Sequence, residues 1–405
     1  MELLDVVKIE EAIDLEVKAM EKLAFKRKIE IDTTEARGYI LSSDLISNDD
    51  LPNFRKATMD GYAINYKDSR GASDTIPSIL SLVEEIEIGH SPKKVLQRGE
   101  ASKIYTGGML PQGADSVIPI EYTETINEKL IGIMKPVFYM ENVIEIGDDS
   151  KKGDIYEKRG RVIEAETMAM AASLGYDKLK VYDKLRCKIL STGDEIIPVT
   201  EKLIPAKARD VNSYMLKGLV EELGMTVSKV SQLKDDRDLI KEELSEDVDL
   251  IIVSGSSSKG NKDFVPDIIR EFDPGLIYHG ISIKPGKPTS LSINNKTMIL
   301  GLPGNPISAY VIFRTVFAEG FKRYFGIEDK IYIRASLSKN ISNGGAKTKV
   351  CLVDLNRINE DYVADPIFGF SNNISLLKRA KGYIILDEYD EGLREGEIVE
   401  VRLIR

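Results

Sequence analysis

Three short apolar runs punctuate the stretch from about residue 180 to 325, and none of them alternates with polar residues. Lys188-Ile189-Leu190 leads into Ser191-Thr192-Gly193-Asp194-Glu195, Leu250-Ile251-Ile252-Val253 leads into Ser254-Gly255, and Met298-Ile299-Leu300 leads into Gly301-Leu302-Pro303-Gly304-Asn305-Pro306. A strand apolar on both sides must be covered on both faces, the condition of a central strand in a parallel sheet with helices above and below. Helical patterns fill the intervals. Asn212 stands before an apolar stripe of Leu216, Leu219, Val220 and Leu223 that Gly224 closes, and Asn305-Pro306 opens a longer helix bearing Ile307, Tyr310, Val311, Phe317 and Phe321. The expected centre is therefore an α/β domain with a parallel sheet. In such sheets ligands bind in the crevice beyond the carboxyl ends of the strands, where all three runs break at Gly, Ser, Asp or Pro.

The flanking parts read differently. Residues 47–144 are glycine- and proline-broken short apolar stretches without long helical periodicity, which predicts a mainly β domain. After about residue 330, Lys349-Val350-Cys351-Leu352-Val353 and Tyr383-Ile384-Ile385-Leu386, separated by Asn-Gly-Gly and Glu-Gly turns, predict a small antiparallel barrel or sandwich. A chain of 405 residues exceeds the size of one hydrophobic core, so two to four domains are expected. No apolar run reaches the ~18 to 20 residues of a membrane span. The amphipathic start lacks the form of a secretory signal, and two cysteines, Cys187 and Cys351, give no disulfide framework, so a cytoplasmic setting is expected. A formal net charge of -10 disfavours nucleic acid and anionic membranes, and two histidines cannot build a histidine-rich metal site.

Seven segments carry polar chemistry. Asp60-Gly61 within Thr58–Ala63 reads either as a turn or as a placed carboxylate, and Thr106-Gly107-Gly108 bares backbone amides beside a hydroxyl. Thr192–Glu195 and Lys234-Asp235-Asp236, each at a strand end, set carboxylates on one rim of the sheet, where they suit Mg²⁺ or helix capping. Ser254-Gly255-Ser256 opens a loop of small hydroxyl residues running through Lys259 to Asp263, able to donate to phosphate but lacking the Gly-Lys-Ser/Thr ending of a nucleotide P-loop. Lys284-Pro285-Gly286-Lys287-Pro288 holds two cations in a stiff segment, and Gly301–Pro306 aims a helix N-terminus above the sheet.

In order and spacing these segments resemble the MoeA family, which includes the homologous E domain of gephyrin. The resemblance rests on MDGYA at 59–63, TGGMLPQGADSVIPIE at 106–121, TGDE at 192–195, the Ser254-Gly255 loop, KPGKP at 284–288, GLPGNP at 301–306 and NNISLLKRAKGYIIL at 372–386, and it spans essentially the whole chain. It implies a multidomain α/β plus β protein. The parts are a doubly wound molybdopterin-binding-like domain (1–21 and 179–327), an inserted mainly β domain (47–144), a linking domain (22–46 and 145–178) and a C-terminal β-barrel (328–405). It also implies a homodimer with its site in a cleft where subunits meet, and insertion of molybdate into adenylylated molybdopterin with release of AMP, assisted by Mg²⁺. The molybdopterin adenylyltransferase is an expected partner. By position, the resemblance gives catalytic roles to Asp60, Thr106, Glu195, Asp235 and Asp263, the four acids among them serving the metal. Ser254, Gly255, Ser256, Lys284, Lys287, Pro303, Pro306 and Ser375 become ligand contacts.

The chain also departs from the family's pattern. Where the family reads Ser-Gly-Gly-Val-Ser-Val-Gly, this sequence has Ser256, Ser257 and Lys259, and where an arginine usually follows Asn-Val it has Ile144. A molybdopterin-binding scaffold without turnover, and a tungstate-inserting variant, are the competing expectations.

Overall fold

The computed structural model describes residues 6–255, 265–328, 332–345 and 347–404. Its chain forms two compact units, one drawn from 1–43, 159–168 and 177–405, the other from 44–158 and 169–176.

The second unit is built on a six-stranded sheet. Its strands are β1 (Gly61–Ile64), β2 (Ser78–Ile86), β3 (Glu100–Ile104), β4 (Ser116–Pro119), β5 (Thr123–Asn127) and β6 (Leu130–Ile133), in the order β4-β1-β3-β2-β6-β5. Alternate side chains feed two cores. Tyr62, Ile64, Ile118, Ile131 and Ile133 pack on one side, and Ala63, Ile104, Val117 and Ile86 on the other, as the two-residue repeat of a strand requires. Asp60-Gly61 is not a hairpin turn: Gly61 starts β1 and is paired on both sides, with Ile104 and Pro119. A Cβ there would lie 2.0 Å from the Ile118 carbonyl oxygen, so the glycine permits close strand approach.

The first unit carries the α/β domain. Four parallel strands, β7 (Arg186–Thr192), β8 (Thr226–Leu233), β9 (Leu250–Ser254) and β12 (Thr297–Leu302), lie in the order β8-β7-β9-β12, and β11 (Ser290–Asn294) and β10 (Pro274–His279) add antiparallel to the far edge. The three runs without polar alternation are the three inner parallel strands. Leu250 and Ile252 of β9 enter one core with Ile189, Leu216, Leu219 and Leu300, while Ile251 and Val253 enter the other with Leu190, Ile240, Ile268 and Ile299. All four β9 residues are fully buried, each stabilising the fold by roughly 1.5–3 kcal/mol.

One face is covered by α1 (Ile9–Lys22), α2 (Asn212–Glu222) and a long helix that runs as α5 (Pro306–Ile312), a π turn over Phe313–Phe317, and α6 (Ala318–Phe325). Phe313, Phe317, Phe321 and Phe325 stack along it at centroid spacings of 5.2, 6.5 and 4.6 Å. The other face is covered by α3 (Arg237–Glu243) and α4 (Val265–Arg270).

The C-terminal part closes into a five-stranded barrel of β13 (Tyr332–Leu337), β14 (Thr348–Ile358), β15 (Asp361–Pro366), β16 (Gly382–Leu386) and β17 (Ile398–Leu403). Its pairing runs β14-β15-β13-β17-β16 and back to β14. One junction differs from the antiparallel expectation: β13 and β15 run parallel, Ser336 opposite Val363. Closure removes the open edges that a small sheet would otherwise expose.

Candidate active site

The parallel strands run in the spatial order second, first, third, fourth. The chain therefore leaves β7 toward one side of the sheet and returns to β9 on the other, and the crevice between the carboxyl ends of β7 and β9 is the switch point of the fold. A cavity of about 910 Å³ opens there, lined by Thr192 at the end of β7 with Gly193 and Glu195 beyond it, Asp235 after β8, Ser254 at the end of β9 with Gly255 beyond it, and Pro303 to Pro306 after β12. Its volume suits a ligand much larger than a lone oxyanion.

Local chemistry explains each wall. Gly255 has φ +108°, and a Cβ there would sit 2.5 Å from the Thr192 carbonyl oxygen, so only glycine lets the β9 end press against the β7 end. Asp236 is consumed as the cap of α3, accepting the backbone N–H of Asp238 at 3.0 Å and of Leu239 at 3.1 Å, which leaves Asp235 to face the cavity. Pro306 takes the first turn of α5, where its missing N–H is no loss, and Asn305 makes no side-chain cap.

The cap of α2 differs from the expectation. Asn212 is inside the helix, and the carboxylate of Asp210 accepts the Ser213 N–H at 3.1 Å instead. Asp210 and Asn212 both line the cavity, together with Arg209, on the short ribbon that pairs Ile196-Ile197 with Ala208-Arg209, and Lys207, just before it. Lys207 Nζ donates to the Asp194 carbonyl oxygen at 2.6 Å. Sequence reasoning missed these four because Lys207–Asn212 reads only as a polar lead-in to a helix. The one local signal was the Lys-Ala-Arg-Asp order of two cations followed by a carboxylate.

Not every expected residue lies on this wall. Lys284 belongs to a two-residue strand that pairs with Lys349 of the barrel, and of its segment it is Pro288, next to Lys287, that lines the cavity. Ser375 begins a short helix, α7 (Ser375–Arg379), and the lining residues of that segment are Asn372 and Ile374. Ser256 and Asp263, with Ser257 and Lys259, lie outside the described residues. Among the described residues no three His, Cys, Asp or Glu side chains are grouped to hold a metal ion by themselves, and no helix is long and apolar enough to cross a membrane.

In the other unit, Asp60 Oδ1 accepts both the backbone N–H and the hydroxyl of Thr106, each at 2.8 Å. The backbone bond first and the hydroxyl second hold the Asp60 carboxyl below its ordinary range, so the exposed pair presents a fixed anion. Gly107, at φ +82°, turns the chain beyond it, and its N–H donates to Ala57 O. Ile144, in the place of the family's arginine, pairs across strands with Lys56.

Comparison with known proteins bears on the whole chain. Residues 7–175 match the family description "MoeA N-terminal region (domain I and II)", 188–322 match "Probable molybdopterin binding domain", and 334–404 match "MoeA C-terminal region (domain IV)". A protein of Methanocaldococcus jannaschii named for molybdopterin biosynthesis is 36% identical over 96% of this chain and 98% of its own length. The chain belongs to the MoeA family. A MoeA protein of Pyrococcus horikoshii has a crystal structure that superposes with a TM-score of 0.83 at 30% identity, covering 99% of this chain and 100% of that one. The molybdopterin molybdenumtransferase of Staphylococcus epidermidis is 28% identical over 98% of this chain and 97% of its own. The molybdopterin-binding match falls on the α/β domain, running from within β7 to beyond α5, the elements that supply most of the cavity wall.

Proposed function

We propose that this MoeA protein is a transferase of molybdenum cofactor biosynthesis. It inserts molybdate into adenylylated molybdopterin, hydrolyses the phosphoanhydride and releases AMP. The observation that carries this reading is the switch-point cavity, in which Glu195 and Asp235 stand with Lys207, Arg209 and the small donors Ser254 and Gly255. A pyrophosphate-bearing ligand needs cations and N–H or O–H donors for its oxygens, and these residues supply both. Two carboxylates in one cavity also fit Mg²⁺, which takes one or two of them and completes its shell with water and phosphate oxygens. Glu195 and Asp235 would hold it, and bound there it would neutralise charge on the phosphoanhydride. Lys287, next to the cavity-lining Pro288, is assigned to oxyanion binding, and Asp60, fixed by Thr106, to positioning the attacking water. The protein acts as a cytoplasmic homodimer that receives the adenylylated pterin from the molybdopterin adenylyltransferase.

The test mixes purified protein with adenylylated molybdopterin, molybdate and Mg²⁺ and follows AMP. Molybdate-dependent AMP release supports the enzyme; tight binding with no release under any divalent ion would replace it with a molybdopterin-binding scaffold. Asp60→Asn is expected to lower turnover about 100-fold with unchanged unfolding, the size of losing one preorganised charged contact.

A further inference from the structure

Asn212 is only 6% exposed, and its amide nitrogen Nδ2 donates to Ser254 Oγ and to the Gly304 carbonyl oxygen, both at 2.7 Å. A carbonyl oxygen can only accept, so the contact with Gly304 identifies this atom as nitrogen rather than oxygen. The bond to Ser254 then has a fixed direction, with the serine oxygen as acceptor. Ser254 keeps its own hydroxyl proton for another partner, and none of its contacts among the described residues takes that proton. Ser254 lines the cavity. The same amide ties α2 to Gly304, where a Cβ would lie 3.5 Å from the Gly255 Cα, so the loops after β9 and β12 meet at this clip.

We infer that Asn212 is a positioning residue of the site: it turns the Ser254 hydroxyl into a donor for an oxygen of the anionic ligand and holds the β12 loop against the β9 end. Helix capping does not account for the side chain, because Asp210 already performs it. Aspartate in this place would reverse the arrangement. Its carboxylate would accept the Ser254 proton, leave the cavity without that donor, and face the Gly304 carbonyl oxygen as acceptor against acceptor.

The inference rests on the proposed ligand, so its test has one arm with that ligand and one without. Adenylylated molybdopterin is titrated into wild type, Asn212→Ala, Ser254→Ala, the double variant and the near-isosteric Asn212→Asp. Each alanine variant should bind about 3- to 10-fold more weakly, the loss of roughly one hydrogen bond. The double should lose less than the product of the two single losses, since part of the Asn212 effect runs through the serine, and Asn212→Asp should be the weakest single variant. Losses that multiply in the double, or an Asn212→Asp protein that binds as wild type, would overturn the role. If wild type itself fails to bind, the proposed activity falls, and the clip is decided by amide hydrogen exchange at residues 304–309 of the ligand-free protein. Faster exchange in Asn212→Ala than in wild type supports it, and equal exchange overturns it.

Discussion

Glu16 gives the sharpest test of how the α/β domain is held together. It lies on α1 and is fully buried; its Oε1 accepts the Tyr278 hydroxyl at 3.0 Å while Oε2 has no hydrogen-bond partner. The carboxyl presses on α6, where a Cβ on Gly320 would come within 2.9 Å of Oε2. Burial pushes this carboxyl from 4.5 up to about 8, against the smaller opposing pull of the Tyr278 hydrogen bond. The folded state therefore keeps a proton that the unfolded chain sheds above its ordinary range. Stability from this group is fully present below about pH 4.5 and is lost as pH rises through about 8. At 1.36 kcal/mol per unit, the loss by pH 7 is roughly 3–4 kcal/mol. Glutamine has the same shape, offers Tyr278 the same acceptor and cannot ionise. Urea unfolding of wild type and Glu16→Gln across this range should show nearly equal stability at about pH 5 and a gap that widens by roughly 3 kcal/mol toward pH 8 in favour of the variant. A gap that stays constant with pH would mean the carboxylate is charged in the fold, and the account of its burial would be wrong.

Two further outcomes follow from the packing around the cavity. Gly255→Ala must strain a backbone at φ +108° and drive a methyl into the Thr192 carbonyl, so it should destabilise by about 1–3 kcal/mol in thermal unfolding and weaken binding of adenylylated molybdopterin; unchanged affinity would detach Gly255 from the site. Ile252→Ala, in the fully buried centre of β9, should cost about 2–5 kcal/mol in urea unfolding, whereas Ile358→Ala, at 56% exposure on β14, should stay within about 0.5 kcal/mol; equal effects would contradict the assignment of β9 as the central strand.

Much of the site was legible because its signals are local. Thr192-Gly193-Asp194-Glu195 and Ser254-Gly255 each follow a run apolar on both faces, and glycine is the residue that a close approach or positive φ demands at 255. Lys207, Arg209 and Asn212 were not legible. They sit in a polar stretch that any solvated loop could share, and nothing within a few residues says that it folds over the strand ends. The cap assignment failed for a related reason. Asp210 and Asn212 both have capping side chains, and only the neighbourhood of Ser254 and Gly304 decides that asparagine is drawn away from the helix end.

The sequence by itself determined the elements of the α/β domain, since runs such as Leu250–Val253 have only one way to hide both faces from water, and it determined the family through motifs spread along the chain. Only the tertiary structure decided the strand order β8-β7-β9-β12, the parallel junction that closes the barrel, and which polar groups share a cavity. It also left Glu16 buried on a helix whose sequence reads as an ordinary amphipathic one. The physical reason is range: burial of an apolar run is set by its own residues, whereas pairing, polarity and protonation depend on partners tens to hundreds of residues away.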